Sequence, residues 1–341
     1  MTPPIIAFFN NKGGVGKTSL VYHLAWMYYD LGLKVVAADL DPQANLTAAF
    51  LDEGRLEEIW EDSDADNYNT VFRCIRPLLS GIGDIAAPNL EKIDDGFSLL
   101  IGDLQLSGFE DELSSQWPDC LDRKERAFRV ISAFWRVLSQ AASINSADVV
   151  LVDLGPNLGA INRAALIASD YVVVPLSPDL FSLQGLKNLG PTVRRWREEW
   201  QERIPKNPAP DLALPEGKMQ PVGYIILQHG VRFDRPVKAF QKWIERIPNT
   251  YNTEVIQEDK TVLTASDDPN RLALLKHYQS LMPMAQESHK PIFHLKPADG
   301  AIGAHVSAVQ AVHKDFKALA HKIADRTKLL LPNSPLALEP E

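Results

Sequence analysis

The sequence predicts an α/β fold, a mostly parallel twisted β-sheet flanked by helices on both faces. Three observations predict it. Short β-branched runs bounded by turn residues alternate with longer helical patterns, which is how successive βαβ units read. Those runs are apolar nearly throughout, as strands covered on both faces must be. The first of them leads directly into a glycine-rich segment, NNKGGVGKTS, where a helix begins.

In chain order, strands are expected at residues 5–9, 34–38, 97–101, 149–152, 171–175 and 222–227. Helices are expected at 19–31, 123–142, 161–168 and 183–201. Near the C-terminus Val306, Val309, Val312, Phe316, Leu319 and Ile323 recur at steps of three or four, a single apolar helical stripe that faces a core. Two stretches interrupt the alternation. One is acidic, with eight acids between Asp52 and Asp66 against Arg55 alone, and the other carries prolines at 205, 208, 210, 215 and 221. The expected organisation is therefore one domain over 1–330, with surface insertions at about 52–69 and 204–221 and a loose acidic tail at 331–341.

The 341 residues, 45% of them hydrophobic, suffice for a substantial core. The opening MTPPIIAFFNN lacks a basic segment followed by a long apolar one, and no run is long enough to span a bilayer, so a cytoplasmic location is expected. Cys74 and Cys120 are far apart and without CxxC spacing, which points to buried small side chains and away from a disulfide or zinc framework. The formal net charge of −9 argues against a strongly basic nucleic-acid surface, but much of it is concentrated in the acidic stretch.

After the first strand, Gly13, Gly14 and Gly16 allow the backbone to curl around an anion with its N–H groups inward. The helix that follows directs its N-terminal dipole at the same anion. In a loop of this kind Lys17 reaches the β- and γ-phosphates of a nucleotide and the Thr18 hydroxyl binds Mg²⁺, with Val15 and Ser19 completing the cradle. The general phosphate-loop pattern wants glycine at position 11, whereas this chain has Asn11 followed by Lys12.

The string KGGVGKT resembles the deviant Walker motif of the ParA/MinD superfamily, and the chain is similar to the ParA family from Pro4 to about Ala324. The segments ALIASDYVVVPLSPDLFSLQGLKNL and HKPIFHLKPADGAIGAHVSAV carry the similarity past the phosphate loop. The resemblance implies a P-loop NTPase fold and an ATPase with ATP and Mg²⁺ as cofactors. It also implies that Lys12 is the family's early lysine, which crosses a dimer interface to touch the partner's nucleotide.

The second strand ends in DLDPQ, placing Asp39 and Asp41 at the carboxyl edge of the sheet, where α/β folds collect ligands. By the resemblance Asp41 positions the attacking water and Asp39 supports the magnesium shell. DVVLVDLGPN has the form of a Walker B strand whose Asp153 holds the metal through water. The family commonly has Cys-Pro-Pro after this acid, and this chain has Leu154, Gly155 and Pro156. In relatives the end of the sixth strand and the loop near a later proline hold adenine, for which Gln228 and Pro291 are the nearest positions.

The family resemblance implies an ATP-dependent homodimer, non-specific DNA binding, nucleoid association and an activating partner such as a centromere-binding protein. Two mixed basic clusters are candidates for the DNA surface, one over 191–206 and one over 231–246, and by position in the family pattern Arg197 and Arg235 would be the DNA-contacting pair. Trp196 and Trp200 beside them read as packing residues. A membrane role would call for a terminal basic amphipathic helix, and the ending LEPE is wrong for one. An adaptor use of the same switch, recruiting a protein with DNA incidental, is the alternative.

Overall fold

The computed structural model describes residues 2–61, 67, 69–227, 237–258, 267–276, 278 and 280–332, with backbone alone for 237–239. Gln228, Arg235, most of the acidic run after Glu61 and the tail from 333 lie outside the described residues.

Eight strands are described: β1 (Ile5–Phe8), β2 (Val35–Asp39), β3 (Glu91–Asp94), β4 (Phe97–Leu100), β5 (Val149–Asp153), β6 (Tyr171–Leu176), β7 (Gln220–Leu227) and β8 (Arg271–Leu275). They form one sheet in the order β3-β4-β2-β5-β1-β6-β7-β8, and every neighbouring pair is parallel except β3 with β4. The helices before β4 are α1 (Lys17–Asp30), α2 (Asn45–Phe50), α3 (Glu53–Glu61) and α4 (Val71–Leu79). Those up to β7 are α5 (Phe109–Asp119), α6 (Glu125–Ile131), α7 (Ala133–Ile144), α8 (Ala160–Ile167) and α9 (Leu180–Arg203). The rest are α10 (Val237–Ile244), α11 (Ile247–Tyr251), α12 (Leu281–Glu287) and α13 (Ala304–Thr327).

The two-residue period of a strand divides the core in two. Ile5, Ala7 and Phe9 join Val36, Ala38, Val150 and Val152 in one cluster, while Ile6 and Phe8 join Val35, Ala37, Val149 and Leu151 in the other. Each central strand thus buries both faces, which is why its sequence is apolar without alternation. Edge strand β3, EKID, alternates half-buried and exposed positions and is correspondingly charged.

The acidic stretch is not wholly a surface insertion. Residues Glu53–Glu61 form α3, whose Leu56 and Ile59 are buried in the second cluster while its acids face outward. The proline-rich stretch is likewise packed down: the Trp200 indole donates to the Pro215 carbonyl at 2.9 Å, and Met219 is fully buried. The helix expected over 123–142 is two helices meeting at Ser132, with Arg123 in a left-handed turn before them. On α13 the apolar stripe is buried at Val312, Phe316, Leu319 and Ile323, but Val306 is exposed and Val309 only partly covered. Trp196, Trp200, Cys74 and Cys120 are all buried. Among the described residues no helix is long and apolar enough to cross a membrane.

Candidate functional site

A cavity of about 740 Å³ opens at the carboxyl edge of the sheet, where β1, β2 and β5 end together. The reason is topological: β1 lies between β5 and β6, so the connections leaving β1 and its neighbours diverge and leave a crevice. All of Gly13 to Ser19 line it, with Asp41 and Pro156.

The loop geometry is that of an anion cradle. Gly14 and Gly16 have φ of 70° and 79°, the left-handed region that glycine enters without a Cβ penalty. At Gly16 a Cβ would also come within 3.0 Å of Leu227. No side chain caps α1, so its first N–H groups have no side-chain acceptor and remain available to a ligand. Lys17 opens that helix, is itself buried, and donates to the Lys12 carbonyl at 3.4 Å. Burial lowers its pKa, and the nearby Asp153 and Asp41 counter the shift.

The Thr18 hydroxyl donates to Asp153 Oδ2 at 2.6 Å, joining the two positions expected at a metal. Asp153 is fully buried, and its Oδ1 has no hydrogen-bond partner among the described residues. Burial raises its pKa, with Asp39 on the adjacent strand adding repulsion. A buried carboxylate oxygen left unmatched beside a hydroxyl is a donor set that fits a hard divalent cation such as Mg²⁺. Among the described residues no group of three or more His, Cys, Asp and Glu side chains makes a protein-only metal cage, so the remaining ligands would come from phosphate and water.

The two aspartates of DLDPQ have different surroundings. Asp41 lines the cavity, and its Oδ1 accepts from the Gln43 N–H at 3.0 Å. Like Asp153, Asp39, which is expected to support the magnesium shell, is not among the side chains that line it. Its carboxylate accepts from the Thr47 N–H and hydroxyl, both at 2.8 Å, and from the Asp41 N–H at 3.2 Å. Thr47 Oγ1 in turn accepts from Gly102 at 2.8 Å, so Asp39 ties the segment after β2 to the end of β4. A Cβ at Gly102 would sit 2.8 Å from the Asp39 carboxyl carbon, which explains the glycine there. The segment after β5 is fitted to Asp41 in a similar way, since a Cβ on Gly155 would lie 3.1 Å from Asp41 Oδ1. Asn162 on α8 donates to the Gly155 and Asn157 carbonyls and holds that segment in place.

At the far end the cavity is lined by Tyr22 and His23 of α1 and by Met282, Ala285, Gln286 and Lys290. Sequence reasoning reached only Pro291 here, which is buried and does not line the cavity, whereas its neighbour Lys290 does. Tyr22 was open to discovery, since it lies one helical turn beyond Thr18 on the same face. The α12 residues follow from a fold contact more than 250 residues distant in sequence, with no local signal.

Lys12 does not line the cavity; its ammonium pairs with Asp179 at the start of α9. Arg197 turns inward: it is half-buried, donates to the Met219 carbonyl, and its Nε is buried without a partner among the described residues. In this placement the guanidinium expected to face DNA is engaged within its own chain.

The AAA domain family matches residues 4–206. The chain is 31% identical over 192 residues to the cell division protein PomZ of Myxococcus xanthus, covering 56% of this chain and 52% of that one. It is 28% identical over 200 residues to the chromosome partitioning protein ParA of Caulobacter vibrioides, covering 59% and 66%. The matched region thus spans about half to two thirds of the length of these relatives. A solved structure of a protein from Corynebacterium diphtheriae superposes with a TM-score of 0.66 at 26% identity, covering 97% of this chain and all of that one.

Proposed function

We propose, from the premise that this chain belongs to the ParA family of the ParA/MinD superfamily of P-loop ATPases, that it is an ATP-hydrolysing dimeric switch that binds DNA non-specifically in its ATP state and acts in partition. The observation that carries this reading is the convergence of Lys17, Thr18, Asp41 and the Thr18–Asp153 pair on one cavity at the carboxyl edge of the sheet. Of the two relatives, one is a cell division protein and the other a chromosome partitioning protein, which supports a role of this kind.

Phosphoryl transfer is driven mainly by positioning and charge stabilisation. The N–H groups of residues 13–18 and the Lys17 ammonium hold the β- and γ-phosphates. Thr18 and Asp153 would hold Mg²⁺, and the bound ion would supply neutralisation of the phosphate oxygens. Asp41, fixed by the Gln43 N–H and packed against Gly155, orients the attacking water. Lys12 reaches the partner's phosphates in trans, adding positive charge where negative charge develops. ATP thereby joins two protomers, and loss of the γ-phosphate releases them.

Analytical ultracentrifugation with a non-hydrolysable ATP analogue and Mg²⁺ tests this reading alongside a phosphate-release assay. Dimers are expected with the analogue and not with ADP, and Lys12→Ala should lower turnover at least tenfold. A chain that stays monomeric with the analogue, and whose turnover ignores Lys12, would sink the proposal.

Two observations favour the adaptor reading in which a protein is recruited and DNA is incidental. Arg197 is spent on the Met219 carbonyl, while α3 presents an acidic outer face. Pull-down with Asp41→Ala held in the ATP state separates the two: recovery of DNA with the protein supports partition, and its absence with a stoichiometric protein partner supports the adaptor.

A further inference from the structure

Lys12 and Asp179 meet across two turns that are each held by other bonds. Asp179 is the N-cap of α9, and its Oδ1 accepts from the Ser182 N–H at 2.9 Å. The Ser182 hydroxyl accepts from the Ser177 N–H at 3.0 Å, so the carboxylate sits on a closed, capped turn. Its second oxygen takes the Lys12 ammonium. On the other side, the Lys12 N–H donates to Asn10 Oδ1 at 3.1 Å, and the Asn10 amide donates to the Pro175 carbonyl at 2.7 Å. Gly185 lets the two sides approach, because a Cβ there would lie 2.9 Å from Asn11 Oδ1. The ion pair is partly covered, with side-chain exposures of 27% and 35%. Leu180 and Phe181 stand exposed beside it, the Phe181 ring within 5.9 Å of the ammonium.

A lysine destined for another protomer's phosphates is here occupied by a carboxylate of its own chain. We propose that Asp179 is a positioning residue that latches Lys12 in cis, so that a second copy of this chain must displace the latch to receive the lysine, and Asp179 thereby sets the nucleotide concentration at which dimers form. The inference rests on the trans role of Lys12 in the proposed function. The chemistry is competition between two anions for one ammonium: a single carboxylate in the isolated chain, and a triphosphate of higher charge in the pair. Exposed ion pairs are weak, so the latch delays exchange without preventing it. The aspartate needs only one oxygen to cap α9, which leaves the other free to hold or release the lysine with no loss of the helix.

The test compares wild type, Asp179→Asn, Asp179→Glu and Lys12→Ala by analytical ultracentrifugation across a titration of the non-hydrolysable ATP analogue. Asparagine caps a helix as well as aspartate does but cannot hold an ammonium as a charge partner. Asp179→Asn is expected to move half-maximal dimerisation to an analogue concentration about fivefold lower, the scale of one exposed ion pair, with an unchanged unfolding midpoint. Asp179→Glu should restore the wild-type midpoint. If Lys12→Ala blocks dimerisation while Asp179→Asn leaves the midpoint where it was or raises it, the latch is wrong and the trans lysine stands. If Lys12→Ala dimerises as wild type does, the trans lysine fails and the latch with it.

Discussion

His23 accepts a hydrogen bond at its Nε2 from the Ile292 N–H, 3.2 Å away, while its Nδ1 lies 2.7 Å from the Ser19 carbonyl. The two contacts fix the tautomer, because only a neutral ring protonated at Nδ1 satisfies both. The ring also stacks on Phe316 of α13 with centroids 5.0 Å apart. One imidazole therefore joins the helix of the phosphate loop to the segment near the far end of the cavity, 269 residues away.

Stability should fall with acid through this ring. Burial lowers the His23 pKa from 6.5 to about 4. A depressed histidine pKa contributes stability above the unfolded value, and that contribution is lost as pH falls from about 6.5 towards 4, because the unfolded chain binds the proton first. Between pH 7.5 and 5 the loss from this group is about 2 kcal/mol. Urea unfolding at the two pH values checks it, with His23→Gln expected to remove most of that difference.

Asp39 and Asp41, two residues apart, should fail in opposite ways. Asp39→Ala strands the Thr47 N–H and hydroxyl and the Asp41 N–H in a buried site, and should destabilise the fold by about 3 kcal/mol. Asp41→Ala loses one bond from the Gln43 N–H and should change stability by less than about 1 kcal/mol while hydrolysis drops at least a hundredfold. Thermal unfolding and phosphate release on the pair separate the roles. Equal unfolding midpoints would contradict the anchoring function of Asp39.

That contrast also marks where the sequence stops being legible. The phosphate loop and the central strands could be read because their signals are local: glycines ahead of Lys-Thr, and apolar runs whose length and composition suit buried strands. The division of labour between Asp39 and Asp41 could not, since it is set by Thr47 and by Gly102, which adjoins Asp39 only once β4 pairs with β2. Helix α3 was hidden because its acids outnumber the two side chains that dock it, Leu56 and Ile59. Strand β8 was missed because it carries a half-buried Arg271 and an exposed Leu274 at the sheet edge, where the apolar pattern breaks. The inward turn of Arg197 depends on the Met219 carbonyl, which arrives through the proline-rich connection.

Gly155 should matter through Asp41. A methyl at this position lies 3.1 Å from Asp41 Oδ1 and must push either the carboxylate or the segment after β5. Displacing a positioned group by a fraction of an ångström to one ångström lowers rate by about tenfold to a hundredfold. Gly155→Ala is thus expected to reduce single-turnover hydrolysis in that range with little change in the affinity for an ATP analogue, measured by fluorescence titration. Loss of analogue binding with an intact turnover rate would count against the assignment.

The placement of the arginines on α9 predicts which of them can contact DNA. Arg197 is half-buried with its guanidinium held by the Met219 carbonyl, and burial lowers its pKa. Arg195 is exposed, with its Nε 3.8 Å from Glu199, too far for a firm hydrogen bond. An arginine that neutralises a phosphate releases counterions, so its removal lowers the slope of log K against log salt by about 1. Filter binding of the ATP-loaded protein across a salt series should therefore give a reduced slope for Arg195→Ala and an unchanged slope for Arg197→Ala. The latter should instead lower the unfolding midpoint, by the loss of about 1 kcal/mol from the Met219 contact. If Arg197→Ala flattens the salt dependence and leaves unfolding alone, the side chain must swing outward in the dimer, and the contact with Met219 is one that nucleotide binding breaks.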